Sequence, residues 1–130
     1  MRQAQTLNEA QLRRVIQYCR SRRHPTRDET IILTSFYAGL RAKEIAALKI
    51  GNVFDEGGNV REQFILSAAQ SKGGHTRTVY LNQRLRKALG DYGAIKYLSD
   101  PQRPLFESQK GGHFSANTMC QLFLDIYKAV

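Results

Sequence analysis

The hydrophobic pattern changes period partway along the chain, and two Gly-Gly pairs mark the region where it does. Ahead of Gly57-Gly58, apolar residues recur every three or four positions; from there past Gly73-Gly74 they fall into short runs of strand type. A pattern with a 3.6-residue period buries one face of a helix, and a pattern of period two buries one face of a strand. The chain is therefore expected to run as helices, then a small sheet, then helices again. Strands are expected at Val53 to Asp55, Arg61 to Ser67 and Thr76 to Leu81, with the Gly-Gly pairs turning the chain between them. The expected fold class is α+β, mainly α, with helices around a three-stranded antiparallel sheet.

The helices can be placed by their end signals. Asn8 with Gln11 three residues later reads as a capping box, followed by Leu12, Val15, Ile16 and Cys19 on one face and Arg13, Arg14 and Arg20 opposite. Pro25 closes that helix and suits the start of the next. The second helix is expected over about Thr26 to Ala38, with Ile31, Ile32, Ser35 and Phe36 inward and Gly39 as its stop. A short third helix begins near Arg41 and carries Ile45, Ala46 and Leu48. Asn82 caps a helix with Leu85, Leu89 and Ile95, and Ser115 caps the last one. Asp100 to Pro104 and Lys110-Gly111-Gly112 read as loops.

Composition limits what such a fold is for. With 42% hydrophobic residues in 130, the chain can bury a core, so it is not expected to be disordered. No run approaches the roughly 20 apolar residues of a membrane span, and the first ten residues lack the apolar stretch of a secretory signal. No membrane partner is expected. Cys19 and Cys120 do not form a CxxC pair and read as reduced thiols. Twenty Lys and Arg against eleven Asp and Glu give a net charge of +9. That balance favours a polyanionic partner, through steering and counterion release.

Two segments carry chemistry. FYAGLRAKEIAALKIGNV, residues 36 to 53, sets Leu40-Arg41 after a glycine stop with Glu44 one helical turn on. SKGGHTRTVYL, residues 71 to 81, sets Lys72 before Gly73-Gly74 and a basic strand. An arginine fork stabilises charge on phosphate oxygens, and a lysine on a turn can hand a proton to a leaving oxygen. Glu44 is close enough in sequence to orient Arg41. Taken one at a time, each of these is also a common surface feature, an exposed ion pair or a solvated hairpin tip.

In order and together, the two segments resemble the tyrosine recombinase (phage integrase) family. The resemblance covers roughly residues 6 to 130. It implies that Arg41 is the first catalytic arginine, Glu44 the acid that supports it, and Lys72 the catalytic lysine. It further implies double-stranded DNA as partner, contacted by Arg41, Lys43, Lys72, His75 and Arg77, with no cofactor, and a cytoplasmic, nucleoid-associated place in a prokaryote or phage host. His75 and His113 each follow a Gly-Gly pair, and without ligands at metal spacing neither reads as a metal site.

The family pattern continues with a His-x-x-Arg pair, a further His or Trp, and a tyrosine nucleophile. None of these follows in order before Ile126-Tyr127-Lys128-Ala129-Val130. His24-Pro25-Thr26-Arg27 has the right letters but precedes Arg41, and reads as a surface turn. Tyr127 lies beside Phe123 and Ile126 in an apolar stripe and reads as a packing residue, so no nucleophile is assigned. Residues 1 to 130 are thus expected to be a single, partial integrase-like catalytic domain, with 1 to 7 as a linker-like arm, that binds DNA for recombination and integration and is inactive alone. The alternatives are a recombinase-derived module that binds DNA or another partner without chemistry, and an unrelated basic helical protein that binds RNA. A last expectation concerns Met119, Leu122, Phe123, Ile126, Tyr127 and Val130. If later helices normally cover this stripe, residues 115 to 130 would mediate self-association.

Overall fold

The computed structural model describes residues 7–96, 98–108 and 111–130. Its elements are α1 (Glu9–Cys19), α2 (Pro25–Ala38), α3 (Ala42–Ala46), α4 (Ile50–Val53), β1 (Gln63–Leu66), β2 (Arg77–Tyr80), α5 (Gln83–Ala94) and α6 (Ala116–Lys128). The fold is mainly helical with a small antiparallel sheet. Of the expected arm, residues 1 to 6 and Lys110 of the expected loop lie outside the described residues, while Leu7 packs on the core.

The centre of the fold is α2, which packs against α1, α3 and α5. Thr30, Ile31, Ile32, Leu33 and Thr34 are all buried, so this helix is covered on nearly every side at its middle. The sequence pattern suggested a single inward face that included Ser35 and Phe36, but both are only half-buried. The two buried threonines tolerate such surroundings because each hydroxyl donates to the carbonyl four residues back, Thr30 to Thr26 at 2.7 Å and Thr34 to Thr30 at 2.8 Å. Asp28 is buried in the first turn, where the helix dipole favours an acid, and Arg22 and Arg27 donate to its two oxygens at 2.7 and 2.9 Å. Gly39 ends the helix in a left-handed conformation, φ 69°.

The sheet has two strands, not three. β1 and β2 pair antiparallel with Phe64 opposite Val79 and Leu66 opposite Arg77. Running into the start of the strand expected at Val53 to Asp55, Ile50 to Val53 winds one helical turn, closed by the Asn52 side chain accepting the Lys49 N–H at 2.8 Å. Ile50 and Val53 are both buried, and a spacing of three suits that turn. Only Phe54, the middle residue of the expected strand, pairs, as an isolated bridge with Val60. Asp55 organises the tight loop between them by accepting the N–H groups of Gly57 and Asn59.

α6 covers α3 and touches α1. Met119, Leu122, Phe123 and Ile126 are buried there, Tyr127 is half-buried, and only Val130 of the stripe is exposed. The apolar stripe is therefore covered within the chain, and the reason for expecting self-association through 115 to 130 is absent from this structure. Ile95, expected within the helix that Asn82 starts, sits at the C-terminal end of α5 and is exposed. Cys19 is fully buried with a free thiol that burial pushes up to about 12. Among the described residues no helix is long and apolar enough to cross a membrane.

Candidate nucleic-acid interface

Arg41 is placed by a stop and a start. Gly39 ends α2, Leu40 is fully buried as an anchor, and Arg41 is the extended N-cap residue of α3. Its backbone N–H would be left over at this helix start, and Glu44 takes it. The carboxylate Oε1 of Glu44 accepts the Arg41 N–H at 3.0 Å, the reciprocal half of a capping box.

Glu44 does more than cap. Its side chain is almost completely buried, and it accepts three N–H groups from three segments. Oε1 takes the Arg41 N–H and an Arg77 guanidinium N–H, both at 3.0 Å, and Oε2 takes the Lys72 N–H at 3.1 Å. A buried carboxylate is costly unless paired and fully hydrogen-bonded, and this one is both. The two backbone nitrogens meet opposite oxygens of one carboxylate, so they lie within about 8 Å of each other. That is closer than a shared phosphate demands of a long arginine and a long lysine.

The turn that carries Lys72 is tied down at its base. Ser67 and Gln70 bond reciprocally, Ser67 N–H to Gln70 Oε1 at 3.1 Å and Gln70 N–H to Ser67 Oγ at 3.2 Å. The Gln70 amide then donates to the Ala47 carbonyl at 2.9 Å and to Asn52 Oδ1 at 2.8 Å. Gln70 and Ser71 are buried, whereas the Lys72 side chain, Gly73, Gly74 and His75 are exposed. Lys72 was expected on the turn before Gly73-Gly74. Its N–H is held to α3 through Glu44, the turn beneath it reaches α4 through Gln70, and Gly74 follows in a left-handed conformation with φ 75°.

These contacts assemble Arg41, Glu44, Lys72 and Arg77 around one buried acid. Lys43 on α3 and His75 past Lys72 are exposed and, among the described residues, form no bond with that acid. Gln70, Ser71 and Asn52 were not picked out from the sequence. Ser67-x-x-Gln70 is nonetheless a capping-box pattern and could have flagged the turn.

The other sequence candidates lie elsewhere. His24 sits at the far end of α2 with Pro25 and Thr26 exposed, and only Arg27 turns inward, 14% exposed, so His24-Pro25-Thr26-Arg27 lies on a surface connection away from Arg41. Tyr127 packs its ring on Phe123 with centroids 5.9 Å apart, and burial pushes its phenol up to about 12. Among the described residues no cluster of His, Cys, Asp and Glu could hold a metal.

Comparison with known proteins bears on the fold and the family. No curated protein matches the chain. Among solved structures, it superposes on a crystal structure of XerA recombinase with TM-score 0.68 and 25% identity. The match takes in 98% of this chain and 43% of that one, so the chain spans less than half the length of its structural relative. The model of the phage integrase family matches residues 5–130. The protein is therefore a member of the phage integrase family and is related to site-specific recombinases.

Proposed function

We propose that this chain is the DNA-binding first part of a tyrosine recombinase catalytic domain, acting in DNA integration and recombination. The observation that carries the reading is the Glu44 carboxylate, which gathers the Arg41 helix start and the Lys72 turn at one point. A phosphodiester at that point would receive the Arg41 fork on its non-bridging oxygens, where charge grows during strand cleavage. Lys72, projecting from a tied backbone next to two glycines, would reach the leaving 5′ oxygen and supply its proton. Glu44 is the positioning acid. Lys43, His75 and Arg77 contribute contacts to flanking phosphates, with Arg77 doing so through the donors that Glu44 does not use.

In this reading the 130 residues bind DNA without cutting it. Tyr127 is packed on Phe123, and Arg77, the arginine that meets Arg41 at the Glu44 centre, is already bonded to its carboxylate. Fluorescence anisotropy with a labelled duplex checks the binding. We expect weak affinity with little sequence preference, and a fall with salt whose log–log slope scales at roughly −0.9 per phosphate contacted. Arg41→Ala and Lys72→Ala should each weaken binding several-fold without abolishing it. Binding that ignores both substitutions would remove the reading. A covalent adduct on a nicked suicide substrate would overturn the proposal that the chain is inactive alone.

A further inference from the structure

A second group of cations lies at the opposite end of α2 from Arg41, about 20 Å away at 1.5 Å per residue over the 14 residues of that helix. There His24, Arg27, Lys96, Arg103 and Glu107 line a cleft of about 530 Å³, with Tyr92 and Ile95 forming an apolar wall.

The charges in this cleft do not balance. Asp28 next to it is occupied by Arg22 and Arg27. Arg27 also donates to the Glu107 carbonyl at 3.1 Å and lies over the Phe114 ring. The Glu107 carboxylate bonds Arg103. Lys96 is left 3.8 Å from Glu107, too far for a hydrogen bond, although its side chain is only 11% exposed. Among the described residues its ammonium has no hydrogen-bond acceptor, and burial lowers its pKa. The Nε2 of His24 is buried and without a hydrogen-bond partner. Buried polar groups of this kind are uncommon in folded proteins, and they mark a place where water or an ion completes the set. Here a half-buried lysine and a half-buried histidine with one unpartnered nitrogen line one cleft with an exposed guanidinium.

We propose that this cleft binds a phosphate ester, its oxyanion held by Lys96 and His24 with Arg103 at the mouth. Three separately mounted donor groups suit an oxyanion with oxygens in several directions. The cleft has room for more than the bare anion, and Tyr92 and Ile95 offer a surface for the organic part. The ester is either a free nucleotide or the backbone of a nucleic acid, and the two share the recognised group. The proposal does not depend on the roles given to Arg41 and Lys72.

The test uses the whole chain, labelled with ¹⁵N, titrated at constant ionic strength with inorganic phosphate, a mononucleotide monophosphate and a short duplex. We expect saturable shifts at His24, Lys96 and Arg103 with phosphate, and tighter ones with the mononucleotide. Lys96→Gln should weaken them about tenfold, Arg103→Ala by less, and Arg41→Ala not at all. If Lys96→Gln fails to fold, Arg103→Ala on the exposed rim carries the comparison. Shifts by the duplex at both ends of α2 identify nucleic-acid backbone as the source. Shifts by the mononucleotide alone identify a small ligand. No saturable change with phosphate or mononucleotide beyond that of chloride overturns the proposal and leaves the cleft to water.

Discussion

At the scale of single residues, Glu44 concentrates the most consequence. Its two oxygens serve three donors, and an amide in their place offers one acceptor and one donor head. Glu44→Gln must therefore set an N–H against an N–H, at Arg41, Lys72 or Arg77. We expect a loss of about 1–3 kcal/mol in urea unfolding and loss of amide protection at Lys72. Stability unchanged within error would show that the carboxylate is not the joint described here. Cys19 gives a test in alkali. Its thiol is raised from 9.0 to about 12, so the unfolded state ionises first and stability falls as pH rises above 9. Tyr127, raised from 10.0 to about 12, and Tyr92, also raised by burial, act in the same direction from pH 10. The urea midpoint should thus begin to fall between pH 9 and 10, and Cys19→Ala should flatten that first part of the decline. The role of Arg41 as a helix start was legible from Gly39-Leu40-Arg41 and Glu44, because capping is local. The bond from Glu44 to the Lys72 N–H was not, because it joins residues 28 apart and sequence period carries no such information.

Among the elements, the caps were the readable part. Asn8, Asn82 and Ser115 each accept a backbone N–H three residues on, as their residue types suggest. What the pattern did not separate was a buried strand from a single buried turn: Ile50 and Val53 fit the turn, and Phe54 alone kept a strand bridge. Phe54 also explains a glycine inside a helix. A Cβ at Gly93 of α5 would sit 2.7 Å from the Phe54 ring, which is itself buried. Gly93→Ala should therefore cost roughly 1–3 kcal/mol by overpacking, despite the better helix propensity of alanine. Gly93→Ala combined with Phe54→Leu should recover part of that loss. A single variant more stable than the parent would show that the ring has room to move.

For the molecule as a whole, α6 decides how the chain behaves in solution. Its apolar stripe lies against α3 and α1, so Phe123 holds the fold together and is not left over for a partner. Phe123→Asp should destabilise the chain by about 3 kcal/mol or more, and the parent should sediment as a monomer at micromolar concentration. A parent dimer that Phe123→Asp converts to a folded monomer would reverse that assignment. The burial of the stripe was not readable from its spacing, which is the same whether a helix is covered by its own chain or by another. The mainly helical α+β class, by contrast, follows from periods alone. The joint at Glu44 has one more consequence, for the order in which the protein comes into being. During synthesis Arg41 and Glu44 leave the ribosome before Lys72 and Arg77. Until those residues arrive, the acid has found one of its three partners, and α3 is a five-residue helix with little to keep it wound. The nascent chain therefore carries its arginine in a loose segment, and the arginine end acquires a fixed shape only when the hairpin docks.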